Sequence, residues 1–248
     1  MLNFHQWLSE ATVSVPAFLQ GITTKEELIA LIRSNRGLEK PVTDWAEEIN
    51  KQEYGRKLGT DNPVLLYHGS PQHDIHQTGF KLTKGRRSDG WLGADYEVDN
   101  QGVFMTDSPA LAKFFGDNRA EYTNGATIYQ AYTNLDRCLN ATKPGALDLA
   151  LRKLGLGLSN DYYGEKKKKL ANRDIWWLLD RPDFVNAVKK MGYTAVKFKE
   201  DVATVRTVGE KAGNSYCVFD PSTMIIRHPK NNLIKTLDDL VPFLTSAS

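Results

Sequence analysis

His68 stands at the end of an apolar run, Val64-Leu65-Leu66-Tyr67, and is followed at once by Gly69 and Ser70. An imidazole donates at one ring nitrogen and accepts at the other near neutral pH. A glycine beside it marks a place where backbone must come close to another group. Further along, Gly102-Val103-Phe104-Met105-Thr106 is a second short apolar run ending in a small hydroxyl residue. Asp107-Ser108-Pro109 follows, with the side-chain acceptor and the proline that open a helix. Two strands that each end in polar groups, the first beside a glycine, predict a cleft for a flat polar molecule, and a nucleotide is the expected class.

The elements that would position these groups are mixed α+β from Val64 onward. Strands are predicted at 64–68, 102–106, 127–133, 194–198 and 215–219, and helices at 109–115, 146–154, 173–180 and 183–191. Residues 81–101, with Gly85, Arg86, Arg87, Asp89, Gly90, Trp91 and Gly93, read as a long polar loop, and such loops are more often functional than idle. Ahead of this domain the pattern is helical. Thr24-x-x-Glu27 is a capping box for a helix over 25–34, and Pro41 precedes a helix over 43–52 with Trp45 and Ile49 on one face. The polar stretch 54–63 marks a boundary. Four segments result: 1–10, a helical 11–60, a mixed domain over 61–230 and a helical tail over 231–248.

Composition narrows the class. The 248 residues are 41% hydrophobic and 25% charged, as in folded globular chains. A net charge of +2 makes no argument for nucleic acid. The two cysteines, Cys138 and Cys217, follow no pattern and predict no disulfide framework in a reducing compartment, with Cys217 as buried filler. No apolar run approaches a membrane span, and the N-terminus lacks the features of a secretory signal. His73-x-x-His76 has no third ligand at a metal spacing, so a solvated loop is expected there. Lys166 to Lys169 reads as a solvated face, and Trp176-Trp177 as contributing one core residue.

The ordered motifs resemble the diphtheria-toxin and poly(ADP-ribose)-polymerase type of ADP-ribosyltransferase. Leu66-Tyr67-His68-Gly69-Ser70 is similar to that family's first strand. Gly102 to Pro109, with Ala112 and Phe115 behind it, is similar to its second motif. Ile128 to Leu135, Gly192-Tyr193-Thr194-Ala195-Val196 and Tyr216 to Ser222 resemble three further strands, so the likeness runs over 64–228 in order.

The resemblance implies two small packed sheets, a split β-sandwich, around an NAD cleft, preceded by a helical extension. NAD would be a consumed substrate, and no metal would be needed. His68 would bond a ribose hydroxyl, Gly69 the nicotinamide amide and Ser70 the adenosine side. Phe104 and Phe115 stand where the family has stacking tyrosines, and Thr106 closes that strand. Arg86 and Arg87 would meet the pyrophosphate or gate the cleft. Catalysis would fall on His68, Phe104 and the position of Ser215, where the family often carries a glutamate and this chain reads Asn214-Ser215-Tyr216. The carboxylate stays open among Glu200, Asp201 and Glu210. The implied activity is mono-ADP-ribosyl transfer to a host macromolecule, a protein or a nucleic acid. The alternatives are a catalytically inactive binding module on the same fold and an internal head protein.

Met1 to Glu10 has Phe4, Trp7 and Leu8 on one helical face and reads Leu8-Ser9-Glu10 before Ala11. It resembles the cleavable capsid-targeting peptides of large tailed phages. The resemblance implies packaging in the phage head and delivery into the host cytoplasm; an ordinary amphipathic helix is the competing expectation.

Overall fold

Thr24 and Glu27 form the capping box that their spacing predicts. The Glu27 amide donates to Thr24 Oγ1 at 3.2 Å, and Glu27 Oε2 accepts from the Thr24 amide at 3.1 Å. Helix α1 (Lys25–Ser34) follows. Helix α2 (Glu39–Leu58) starts earlier than expected, with Pro41 inside its first turn, because the first turn needs no amide donor from that residue. It also runs six residues past the expected end, through the stretch read as a boundary, since Tyr54 is buried on its inner face. Gly59 stops it in the left-handed region at φ 65°.

The computed structural model describes residues 13–89, 94–119, 125–143, 146–153, 175–200, 202–209, 213–228 and 231–245. The N-terminal peptide 1–10, Trp91, the lysine run 166–169, Asp201 and Glu210 lie outside the described residues. So do the side chains of Arg86, Arg87, Trp176 and Trp177.

The chain forms two units, Met1–Pro63 with Arg227–Ser248, and Val64–Ile226. In the first, Leu28, Trp45 and Ile49 share one core with Ile234, Leu240 and Phe243, the last on the short helix over Val241–Thr245. The tail therefore completes the N-terminal unit. Asn50 fastens it: its Nδ2 donates to the Ile234 carbonyl at 3.1 Å, and its Oδ1 accepts from the Ile234 amide at 2.7 Å.

The second unit is α+β. Seven strands form one sheet: β1 (Val64–Ser70), β4 (Val103–Thr106), β5 (Thr127–Thr133), β6 (Cys138–Asn140), β7 (Ala195–Phe198), β8 (Ser215–Val218) and β9 (Met224–Ile226). Their order is β6-β7-β8-β4-β1-β5-β9, and only β6–β7 is parallel. Two small separate sheets were expected; the strands are instead continuous through the centre. That centre is thin. β1 and β5 share seven register pairs and β4 and β8 four, whereas β1 and β4 share one, Tyr67↔Thr106.

The two-residue period of the strands sorts side chains to two cores. Val196, Phe198, Cys217 and Phe219 face one that includes Phe184 and Val188 of the helix over Pro182–Lys190. Ala195, Tyr216, Val218, Met105 and Leu66 face the other.

Residues 81–101 correct the loop reading. β2 (Lys84–Asp89) and β3 (Ala94–Asp99) pair antiparallel as a hairpin. The register sets Lys84 opposite Asp99 and Arg86 opposite Glu97, and the sequence there lacks the apolar two-residue period by which strands are usually read. No described helix is long and apolar enough to cross a membrane.

Candidate functional site

Ser108 caps the helix that follows β4, accepting from the Leu111 amide at 3.1 Å, and Pro109 takes its first position. This helix (Pro109–Arg119) lies against β1 so closely that a Cβ on Gly69 would sit 1.8 Å from the Ala112 carbonyl oxygen and 2.9 Å from the Gly116 amide. Gly69 is thus the contact point of a helix and a strand. That packing brings Phe115 to the seam between β1 and β4.

The seam is where the sheet opens. His68 stands beside the single register pair, and its Nδ1 lies 2.7 Å from the Phe104 carbonyl. A carbonyl only accepts, so Nδ1 carries the proton and donates, and in the neutral ring Nε2 is the acceptor nitrogen. The imidazole takes the part that a ladder bond would otherwise play. Its other edge meets Phe80, with ring centroids 5.4 Å apart and planes at 82°.

Tyr67, His68, Gly69, Phe104, Met105, Thr106, Phe115 and Ser215 line the resulting cavity. Its volume is about 30 Å³, against roughly 300–1,000 Å³ for pockets that swallow a drug-sized ligand. Only a group of a few atoms fits inside; the remainder of a larger ligand would lie along the mouth. By strand alternation Phe104 shares a face with Thr106 and Tyr67, where its ring meets Phe198 edge-on at 6.5 Å. His68 alternates to the opposite face. The two side chains therefore border the crevice from its two sides, and Phe104 is also part of the core wall.

The far wall is held by a polar clamp that the sequence reading missed. Thr106 Oγ1 donates to the Asn214 carbonyl at 2.8 Å and accepts from the Ser108 amide at 3.1 Å. Asp107 takes the Asn214 amide on Oδ1 at 2.6 Å and its Nδ2 on Oδ2 at 2.7 Å. Tyr216 donates its hydroxyl to Asp107 Oδ2 at 3.3 Å. Burial first, and the Asp107 charge second, push the Tyr216 phenol above its ordinary range. Gly213, at φ 63°, permits the approach, since a Cβ there would lie 2.2 Å from Asp107 Oδ1. These bonds fix the start of β8, and Ser215 with it. Ser215 is 2% exposed and donates to Oε1 of Glu200, itself 1% exposed.

Of the residues expected to form a site, His68, Gly69, Phe104, Thr106, Phe115 and Ser215 meet at one cavity. Ser70 is not among its lining residues; its hydroxyl accepts from the Gln72 amide at 3.1 Å, closing the turn after β1. Arg86 belongs to the hairpin, and its side chain is outside the described residues. His73 pairs with Thr127, Nδ1 to Oγ1 at 2.6 Å. Burial pushes the Cys138 thiol up to about 11, away from the thiolate form. Phe80 gave no signal, as it follows a glycine outside any periodic segment. No family model, curated protein or solved structure matches the chain.

Proposed function

We propose that this chain is a mono-ADP-ribosyltransferase, cleaving NAD and passing ADP-ribose to a macromolecular acceptor. One observation carries the reading: the sheet parts beside a single register pair, and a histidine, a glycine, three aromatic residues, a threonine and a serine border the opening. In such a transfer the bond between nicotinamide and ribose C1′ breaks. Nicotinamide leaves with the bonding electrons, C1′ gains oxocarbenium character, and an acceptor nucleophile attacks C1′ and loses its proton. The catalyst must grip the leaving group and favour positive charge on the ribose.

A crevice for a few atoms suits the edge of the nicotinamide, its carboxamide towards the Gly69 backbone and the rest of the ring at the mouth beside Phe104 and Phe115. His68 Nε2, as the acceptor nitrogen, suits a ribose hydroxyl. The adenosine end would follow the mouth, and Arg86 on the hairpin would serve the pyrophosphate. The ADP-ribosyltransferase reading of the fold rests on the same seam, the likeness of a split sandwich being a sheet nearly divided at β1/β4.

The test is incubation with labelled NAD and a bacterial lysate. A labelled band and released nicotinamide are expected, both lost in His68→Ala. The narrowness of the cavity favours one second reading, a binding module on the same fold. It would bind NAD without releasing nicotinamide. A chain that neither binds nor cleaves NAD refutes both.

A further inference from the structure

Glu200 is 1% exposed, two residues beyond the end of β7, and accepts the hydroxyl proton of Ser215. Ser215 is paired with Phe198 on one side and with Thr106 on the other, and Thr106 pairs with Tyr67. One row of residues thus runs from β7 across the cavity wall to β1. A buried carboxylate is costly in isolation and is tolerated where it is hydrogen-bonded.

We infer that Glu200 is the positioning carboxylate of the cleft, acting through the Ser215 hydroxyl, and that this wall receives hydrogen-bond donors or developing positive charge. A serine hydroxyl has one proton, and here Glu200 takes it. Towards any ligand Ser215 can therefore only accept. The carboxylate behind it strengthens that acceptor and repels anions. A sugar hydroxyl or an incipient oxocarbenium carbon fits beside it, and a phosphate does not. This orients the dinucleotide, with the nicotinamide ribose at Ser215 and the pyrophosphate away from it. It also lets a carboxylate arriving from the end of β7 serve a position where β8 carries serine. The inference rests on the proposed NAD cleavage.

The experiment measures nicotinamide release by the full chain and by Glu200→Gln, Ser215→Ala and the double variant, with kcat and KM resolved. Glu200→Gln is expected to lower kcat about 100-fold, the scale of one removed electrostatic stabiliser, while KM for NAD stays within about threefold. Ser215→Ala should match it, and the double variant should fall no further, because the two act as one unit. Moving the carboxylate forward, in Glu200→Gln with Ser215→Glu, should recover part of kcat. Circular dichroism checks folding. If Glu200→Gln does not fold, Ser215→Ala decides: a lost kcat at constant KM supports the inference, and a retained kcat overturns it. An active wild type with an equally active Glu200→Gln, a loss confined to KM, or additive effects overturn the inference alone. A wild type that releases no nicotinamide overturns the functional reading and this inference with it.

Discussion

Two seams flank β4, and they are built oppositely. Against β8 it has four register pairs, and the junction is locked at one end by Asp107, Asn214 and Thr106. Against β1 it has one register pair and the imidazole of His68 bonded to the Phe104 carbonyl. The same short strand is thus rigid on one edge and parted on the other. A sheet opens only where its ladder bonds are withheld, and it stays folded there only if other contacts replace them. Here the replacements are a side-chain wedge and a helix seated on Gly69.

The largest effect should come from the open seam. Gly69→Ala would drive a methyl into the Ala112 carbonyl, which is backbone and cannot swing aside. A loss of about 3 kcal/mol or more is expected, at the upper end for overpacking, and thermal or urea unfolding would measure it. Little change would mean that the helix is not seated as described.

Asp107→Ala attacks the locked seam. It orphans the Asn214 amide and side chain, and roughly 2–3 kcal/mol should be lost for an unsatisfied group of this kind. If it destabilises no more than a surface substitution, the contrast between the seams fails.

His68→Ala should separate folding from function. It removes one hydrogen bond, worth about 1 kcal/mol, so unfolding should shift modestly. Nicotinamide release should disappear. A large collapse in stability with activity intact in the survivors would make His68 purely structural.

The smallest effect concerns pH. The Tyr216 phenol has its folded pKa raised above the ordinary value of 10.0, by burial and by Asp107. Below pH about 10 the phenol is protonated in both states, and its contribution is fully present. As pH rises further the unfolded chain ionises first, so stability falls. Tyr216→Phe should flatten that fall in denaturation curves taken between pH 9 and 11, about one unit either side of the ordinary phenol value. Identical slopes would show that Tyr216 is not held as described.

Much of this was legible in one dimension. The capping box at Thr24, the cap at Ser108 and the strand over 127–133 follow from local chemistry, which needs no distant partner. The gathering of His68, Gly69, Phe104 and Phe115 at one cavity was expected from the family resemblance and not from local pattern, since strand pairing brings residues 68 and 104 together. The hairpin over 84–99 was not legible, since its sequence is polar and glycine-containing and carries no apolar two-residue period. Nor was the reach of α2 to Leu58, as the buried Tyr54 is held by donating its hydroxyl to Asn232 Oδ1 from the other end of the chain.

The amino-acid sequence alone determined the α+β class and which short motifs end in polar groups, because those follow from side-chain period and capping. Only the tertiary structure decided how wide the seam is, that Gly69 serves helix packing, and that Glu200 stands behind Ser215. These depend on contacts between residues far apart in the chain, and no local pattern encodes the distance at which two strands stop pairing.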